Sequence, residues 1–504
     1  MKKCFSTKKY LEAEEAAIRK RLAQAEERLY LEIGGKLLAD YHAARTLPGY
    51  DPKAKILLLQ NLKKDLEIIY CVSAKHLQRG KLRSDFNLTY GDFALRALEK
   101  FSQMGLGKPL VAINRYEGEE DAKDFGKHLT NLGYKIYFRN EIRNYPDNIE
   151  KILSKKGFGK DPYIPVKKPI VVVNGPGGNS GKLSTCLGQL YHEREQGKHA
   201  AYGKLETFPV WNLPLNHPVN IAYEASTADL GDKNAIDPFH LNTHKEQAVN
   251  YNRDIEAFPI IKNILDQLFP KGNSLSYSSP TEMGINKLKE GIINDKETRE
   301  AAKQEIVFYY FRYHEGFLQG TEKEETLQRM KTLMGKLNLK ETDRAVVEPA
   351  RNAATEAKKQ KDKGNQGIYC GAALELPNEK IVTGKNSRLM HAEAAVLLNA
   401  LKESAKIPDE IDLIPEDIIK NLTNFKEETL GESAANLNAN EVLLTLSLGK
   451  TTNPLAKKAL KQTTKLAGLP LHTTHQLGSG NRNALHKLGI WATTDARPTK
   501  TDIF

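Results

Sequence analysis

Residues 171–182 read Val-Val-Val-Asn-Gly-Pro-Gly-Gly-Asn-Ser-Gly-Lys, a buried strand running into a glycine-rich turn and the start of a helix. Residue types in this order can hold a phosphate. Backbone N–H groups of the turn face the anion, the helix N-terminus adds partial positive charge, and a lysine ammonium reaches an outer oxygen. The candidate binding set is Gly175, Gly177, Gly178, Ser180, Gly181 and Lys182, with Ser184 and Thr185 as hydroxyls for phosphate or magnesium. The string departs from the standard pattern of Gly, four residues, then Gly-Lys-Ser/Thr. Pro176 stands at the first glycine position and Leu183 where the magnesium hydroxyl belongs. Ser184 and Thr185 follow, but successive helical residues diverge by about 100°. The same glycines would also suit a strand-to-helix turn kept only for tight packing.

A phosphate-handling site also needs a carboxylate, and in a parallel sheet such groups come from the carboxyl ends of strands. Glu206 stands at the end of the strand that follows the loop helix, and Asp229 lies in the polar cluster 223–229. Lys182, Glu206 and Asp229 are the candidate catalytic set. Three further clusters could join a site or merely anchor loops: Ile236-Asp237-Pro238-Phe239-His240, Tyr251-Asn252-Arg253-Asp254, and Gly34-Gly35-Lys36 with Asp40, Tyr41, His42 and Arg45. Arg253 is a cation that could meet a second anionic group.

Strand and helix patterns alternate from about 30 to 210, which predicts a mostly parallel sheet with helices on both faces. Helical periodicity dominates 255–345. The polar, lysine-rich stretch 346–367 reads as a linker, and its run Lys358-Lys359-Gln360-Lys361-Asp362-Lys363 as a solvated loop. From 368 an α/β pattern resumes: a hairpin over IYCGAALEL and EKIVTGKN, a helix over MHAEAAVLLNALKESA, a strand over EVLLTLSLGK, then a helix and a strand, LPLHTTHQL. The expected domains are thus 1–254, 255–345 and 368–504.

The 504 residues are 40% apolar and 27% charged, as in an ordinary globular protein. No apolar run approaches the roughly 18 residues that span a bilayer, and the N-terminus MKKCFSTKKYLEAEEAA has no apolar leader core. The four cysteines, Cys4, Cys71, Cys186 and Cys370, show no paired spacing, which fits a reducing cytoplasm. The net charge of +12 is spread along the chain and mixed with acids, without an arginine-rich or aromatic-interleaved stretch. That distribution argues against nucleic acid as a partner and for anion steering.

Seven segments in one order resemble a bacterial family, the domain of unknown function 1846. They include YLEIGGKLLADYHAARTLPGYDP, GPGGNSGKLSTCLGQLYHE, KLETFPVWNLPLNHPVNIAYEASTADLGD, SPTEMGIN and LPNEKIVTGKNSRLMHAEAAVLLNALK. The resemblance runs from about residue 5 to beyond 490. It implies a large multidomain α/β protein of the bacterial cytoplasm, with no reaction attached. Some members carry the label ATP-dependent zinc protease. The zinc half of that label needs two histidines one helical turn apart around a glutamate, and His192-Glu193-Arg194-Glu195-Gln196 lacks the second. That string is expected to be a surface-facing helix end. GAALELPNEKIVTGKN followed by His391-Ala392-Glu393 resembles the first half of a cytidine-deaminase-type fold. The matching later helix start, Lys450–Ala456, has no cysteine, so no zinc site is expected there.

The sequence therefore predicts an α/β, multidomain protein with a P-loop-like strand-turn-helix, a helical middle region and a deaminase-like C-terminal domain without zinc ligands. The expected cofactor is ATP or another nucleotide with magnesium, and the expected partner is a small phosphorylated ligand. A homo-oligomer is compatible with the sequence. The rival expectations are a non-catalytic protein that senses an anionic metabolite, and a scaffold in which the loop only packs.

Overall fold

The computed structural model describes residues 2–34, 36–83, 88–143, 145–269, 276–432 and 435–498. It falls into two compact units, one of residues 2–224 and 232–299, the other of residues 225–231 and 300 onward.

The first unit is built on a seven-stranded sheet. Its strands are β1 (Arg28–Ile33), β2 (Leu66–Ser73), β3 (Leu110–Tyr116), β4 (Ile136–Asn140), β5 (Ile170–Asn174), β6 (Ala200–Leu205) and β7 (Gly284–Ile285). They lie in the order β7-β6-β1-β5-β2-β3-β4 and every pairing is parallel. The central strands are buried on both faces, so they read as continuous apolar runs rather than as alternations. Leu29, Leu31, Ile68, Tyr70, Val111, Ile170 and Val172 pack on one face, with Phe93, Ala97 and Phe101 of the helix Tyr90–Gln103. Tyr30, Ile69, Cys71, Val171, Val173 and Tyr202 pack on the other. That second face is covered by Cys186, Leu187 and Leu190 of the helix Lys182–Glu195, and by Phe258, Ile261, Ile264 and Leu268 of the helix Asn252–Leu268. Residues 255–299 thus belong to the sheet unit, not to a separate helical domain, because the apolar stripe of the helix Asn252–Leu268 finds its core there.

The chain moves from β2 through β3 to β4 in one direction, and from β5 to β6 and β7 in the other. The helices that follow β2 and β5 lie on opposite faces. The adjacent carboxyl ends of β2 and β5 therefore form the switch point where ligand crevices arise in open α/β sheets.

The second unit holds a four-stranded sheet: β8 (Gly371–Glu375), β9 (Ile381–Lys385), β10 (Pro470–His475) and β11 (Trp491–Arg497), in the order β9-β8-β10-β11. β8 is antiparallel to both neighbours, and β10 and β11 are parallel. The 346–367 stretch is not simply a linker. Val347–Ala357 is a helix whose alanines Ala350, Ala353, Ala354 and Ala357 are buried. The expected strand over 441–450 is also overturned. It belongs to the helix Ala439–Gly449, started by a capping box in which Asn438 and Glu441 bond reciprocally to each other's backbone N–H. A short apolar run does not by itself separate a strand from a buried helix.

Candidate functional site

The loop after β5 is fixed by close packing. A β-carbon on Gly175 would lie 2.5 Å from the Cys71 carbonyl oxygen, and one on Gly177 would lie 2.6 Å from the Tyr90 hydroxyl. Gly181 has φ +86°, where a side chain is strained, and its β-carbon would lie 2.7 Å from the Asn114 side chain. Gly178 alone has open space around it and is exposed. Asn114, at the end of β3, donates from Nδ2 to the Ser180 carbonyl at 2.9 Å. The loop glycines are thus demanded by packing at three positions, which also holds the backbone rigid.

Lys182 begins the helix Lys182–Glu195 and is half-buried. Its ammonium donates to the Gly177 carbonyl at 3.1 Å, and the Ser180 hydroxyl donates to the same oxygen at 3.0 Å. Among the described residues, the backbone N–H groups from Gly178 to Ser184 have no acceptor; the first helical bond runs from Thr185 N–H to the Gly181 carbonyl at 2.9 Å. Unpaired donors at a helix N-terminus carry a partial positive charge of about half a unit. The two candidate hydroxyls differ in placement. Thr185 is fully buried, with its oxygen 2.8 Å from the Gly181 carbonyl, 3.2 Å from Asn114 Oδ1 and 3.3 Å from Cys71 Sγ. Ser184 is half-buried and its hydroxyl has no hydrogen-bond partner among the described residues. Behind the helix start, buried Arg139 pairs with buried Asp161 at 2.9 Å and donates to the Ser184 carbonyl at 3.2 Å. Asp161 neutralises that guanidinium, which leaves Lys182 as the cation of the loop.

Glu206 lies just beyond β6, two strands from β5, about 10 Å away by ordinary strand spacing. It does not pair with Lys182. Its partner is Lys204, at 2.7 Å, and Lys204 also forms an ion pair with Asp254 and donates to the Tyr251 hydroxyl. Lys204 and Glu206 are two apart on a strand and so share a face. Lys204 is in register with Glu32 of β1, which is in register with Val173 of β5. These residues occupy the face covered by the loop helix. Burial first, and then the neighbouring Asp254 charge, push the Glu206 carboxyl up to about 8, against the pull of Lys204. Burial alone would lower Lys204, but Asp254 and Glu206 hold its ammonium well above the usual lysine range. The result is a protonated Glu206 carboxyl and the Asp254 side chain bridged by one ammonium. Such a pair can give and take a proton near neutral pH.

With both centres described, the relatives of the chain can be placed. A family model described as "Domain of unknown function DUF1846, N-terminal" matches residues 3–338, and one described as "Domain of unknown function DUF1846, C-terminal" matches residues 342–504. The chain belongs to the DUF1846 family. It is 46% identical over 495 residues to a UPF0371 protein of Clostridium tetani, covering 98% of each chain. A UPF0371 protein of Fusobacterium nucleatum is 44% identical over 497 residues, again with 98% of each chain covered.

The remaining clusters of this DUF1846 chain are mostly anchors. Asp229 belongs to the second unit, where its carboxylate accepts from the Tyr313 hydroxyl at 2.9 Å. Arg253 is already paired with Asp232, at 2.6 Å, rather than waiting for a second anion. Asp237 caps the helix Pro238–His244 and accepts from the Thr281 hydroxyl at 2.6 Å. Asp40 caps the helix Tyr41–Thr46 and pairs with Lys55 at 2.9 Å. Burial would raise its carboxyl, but Lys55, Lys36 and His42 hold it well below the usual range. Gly35 lies outside the described residues. His192 and Glu193 are not a surface-facing helix end: Glu193 is fully buried, ion-paired with Arg28 and bonded by the hydroxyls of Tyr30 at 2.7 Å and Tyr163 at 2.9 Å. In the second unit Glu393 is buried at the start of the helix Ala392–Ala405, accepting from Thr473 at 2.5 Å and from Asn481 at 3.0 Å. Among the described residues, no three His, Cys, Asp or Glu side chains come together as a metal-ligand group, and no helix is long and apolar enough to cross a membrane.

Lys204 and Glu32 went unnoticed in the sequence. A signal existed for both: a strand buried on two faces has no solvent for a charge, so a Lys and a Glu inside such strands must find partners.

Proposed function

We propose that the sheet unit binds a small phosphorylated ligand, a nucleotide or a simpler phosphate ester, over the loop 175–182, and that phosphoryl transfer or hydrolysis is its reaction. The observation that carries this reading is the run of backbone N–H groups from Gly178 to Ser184 with no acceptor among the described residues, next to the Lys182 ammonium. A phosphate oxygen would take over the bond that Lys182 now gives to Gly177. Ser184, not Thr185, would be the hydroxyl that meets phosphate or magnesium. Magnesium would arrive with the phosphates, since no group of three ligating side chains waits for it among the described residues. Glu206, kept protonated by its surroundings, would serve as proton donor and Asp254 as its counterpart.

A second reading keeps the ligand and removes the reaction. It is favoured by Leu183 at the usual hydroxyl position and by the inward turn of Thr185. For the second unit, the strand order with β9 at the edge supports a deaminase-like fold, and we attach no deaminase chemistry to it.

The test is thermal unfolding of the intact chain with and without ATP and magnesium, repeated with inorganic pyrophosphate. A ligand at a hundred times its Kd stabilises by about 2.7 kcal/mol, a rise of about 4–5 °C for a unit of roughly 290 residues. Lys182→Ala removes a charged hydrogen bond of about 1.5–3 kcal/mol, so affinity should fall roughly ten- to hundredfold. No rise in the wild type with either ligand overturns the reading. A rise without phosphate release selects the binding-only version.

A further inference from the structure

The lysine run at 358–363 has no place in the function proposed above, yet its first residue lines a cleft in the second unit. The cleft has a volume of about 260 Å³ and is lined by Arg351, Lys358, Tyr369, Thr474, His475 and Arg497, among others. These residues come from the end of the helix Val347–Ala357, from the segment before β8, and from the ends of β10 and β11. From the geometry we infer that this cleft is a second anion site, built for the phosphoryl group of a small metabolite and independent of the loop at 175–182.

The charges decide the sign. Arg351 is committed to Asp495, at 2.6 Å, and to Glu341, at 2.5 Å, so it forms wall rather than surplus charge. Lys358 and Arg497 have no ion-pair partner among the described residues, and both are exposed. The carbonyl end of the helix Val347–Ala357 brings about half a negative charge, which two cations outweigh. The field of those cations is felt at His475. Burial comes first, and Arg497 and Lys358 then add to it, holding the imidazole below its usual range against the pull of Asp495. A neutral imidazole supplies one ring donor. His475 Nδ1 lies 3.0 Å from the Thr474 hydroxyl, and that hydroxyl accepts the Gly371 N–H at 3.1 Å. Gly367, with φ +78° and open space at its missing β-carbon, lets an anion approach the backbone. A guanidinium fork, an ammonium and the Tyr369 hydroxyl around one hollow can meet several oxygens of a phosphoryl dianion at once.

Isothermal titration of the intact chain with sodium pyrophosphate, at about 0.15 M salt where surface attraction is screened, tests this. The Lys182→Ala variant separates the two sites. The expected result is that Lys182→Ala still binds pyrophosphate, and that adding Lys358→Ala and Arg497→Ala weakens this binding by about tenfold or more per cation. The conservative pair Lys358→Arg and Arg497→Lys should recover most of it. Both residues are exposed, so the unliganded melting temperature should not move. Pyrophosphate binding that vanishes in Lys182→Ala assigns all binding to the loop and overturns the second site. Unchanged binding in the Lys358/Arg497 variant overturns it as well, as does tighter binding of citrate than of pyrophosphate.

Discussion

Glu206→Gln replaces the candidate proton donor by a neutral group of the same shape beside Lys204 and Asp254. In the native chain burial and Asp254 hold Glu206 protonated up to about 8, while an unconstrained glutamate titrates near 4.5. A carboxyl raised in the folded state contributes stability that is fully present below the unfolded value and is lost as pH rises through the folded one. Between those values the native chain binds one proton more than the unfolded chain. Stability therefore falls with rising pH, by about 1.4 kcal/mol per pH unit for one group. From pH 5 to pH 7 that amounts to about 2.7 kcal/mol. Glu14, fully buried in the same unit, is raised to about 8 by burial and adds a slope of the same sign. Histidines of the same unit, His76 lowered by burial to about 4 and His192, His217 and His240 held below their usual range, add slopes of the opposite sign. The quantity that isolates Glu206 is therefore the difference: between pH 5 and pH 7 Glu206→Gln should lose about 2.7 kcal/mol less stability than the wild type.

The assay follows from the two tryptophans. Trp211 lies in the sheet unit and Trp491 in the other, so a Trp491→Phe background makes fluorescence report the sheet unit alone during guanidinium unfolding at pH 5, 6 and 7. Equal pH slopes with and without Glu206→Gln would refute a resident proton on Glu206, and with it the acid–base role. If the role holds, the same variant should bind pyrophosphate as the wild type does and fail to release phosphate from a substrate.

Two stability predictions concern the loop itself. Gly181→Ala forces a β-carbon into the left-handed region and against Asn114; strain of about 1–2 kcal/mol plus overpacking of about 1–3 kcal/mol should lower the denaturant midpoint of the sheet unit. Gly178→Ala, in open space, should change it by no more than about 0.5 kcal/mol, and equal effects at the two positions would contradict the packing account. Asp161→Asn leaves the buried Arg139 guanidinium uncompensated and should cost about 3–5 kcal/mol by the same fluorescence measure. A loss below about 1 kcal/mol, the range of an exposed pair, would mean that this pair is open to water.

The strand, glycine turn and helix around Lys182 were legible because each signal there is local: a β-branched run, residues free to take unusual backbone angles, a helical apolar stripe. The parallel sheet was legible in kind for the same reason. The unit boundary was not. The helix Asn252–Leu268 has a helical pattern whichever core receives Phe258 and Ile264, and only its docking beside the loop helix assigns it to the sheet unit. The helix Ala439–Gly449 was misread because its apolar run resembles a buried strand, although the capping box at Asn438 and Glu441 was present in the sequence. The candidate site shows the deepest limit. Lys204 and Glu206 alternate visibly within one strand, but Glu32 lies some 170 residues earlier and Asp254 sits on a helix from yet another crossover. Their meeting depends on β1 lying between β5 and β6, an order that no local pattern encodes. Once that order is known, the chemistry follows from the sequence alone. A lysine at the carboxyl end of a strand, one acid just beyond it and another brought over it by a helix cannot all remain charged when largely shielded from water, and the least costly arrangement leaves one proton on the two acids. A site of this kind is therefore readable from sequence only after topology, and the loop proposed to bind the ligand need not contain the groups that would act on it.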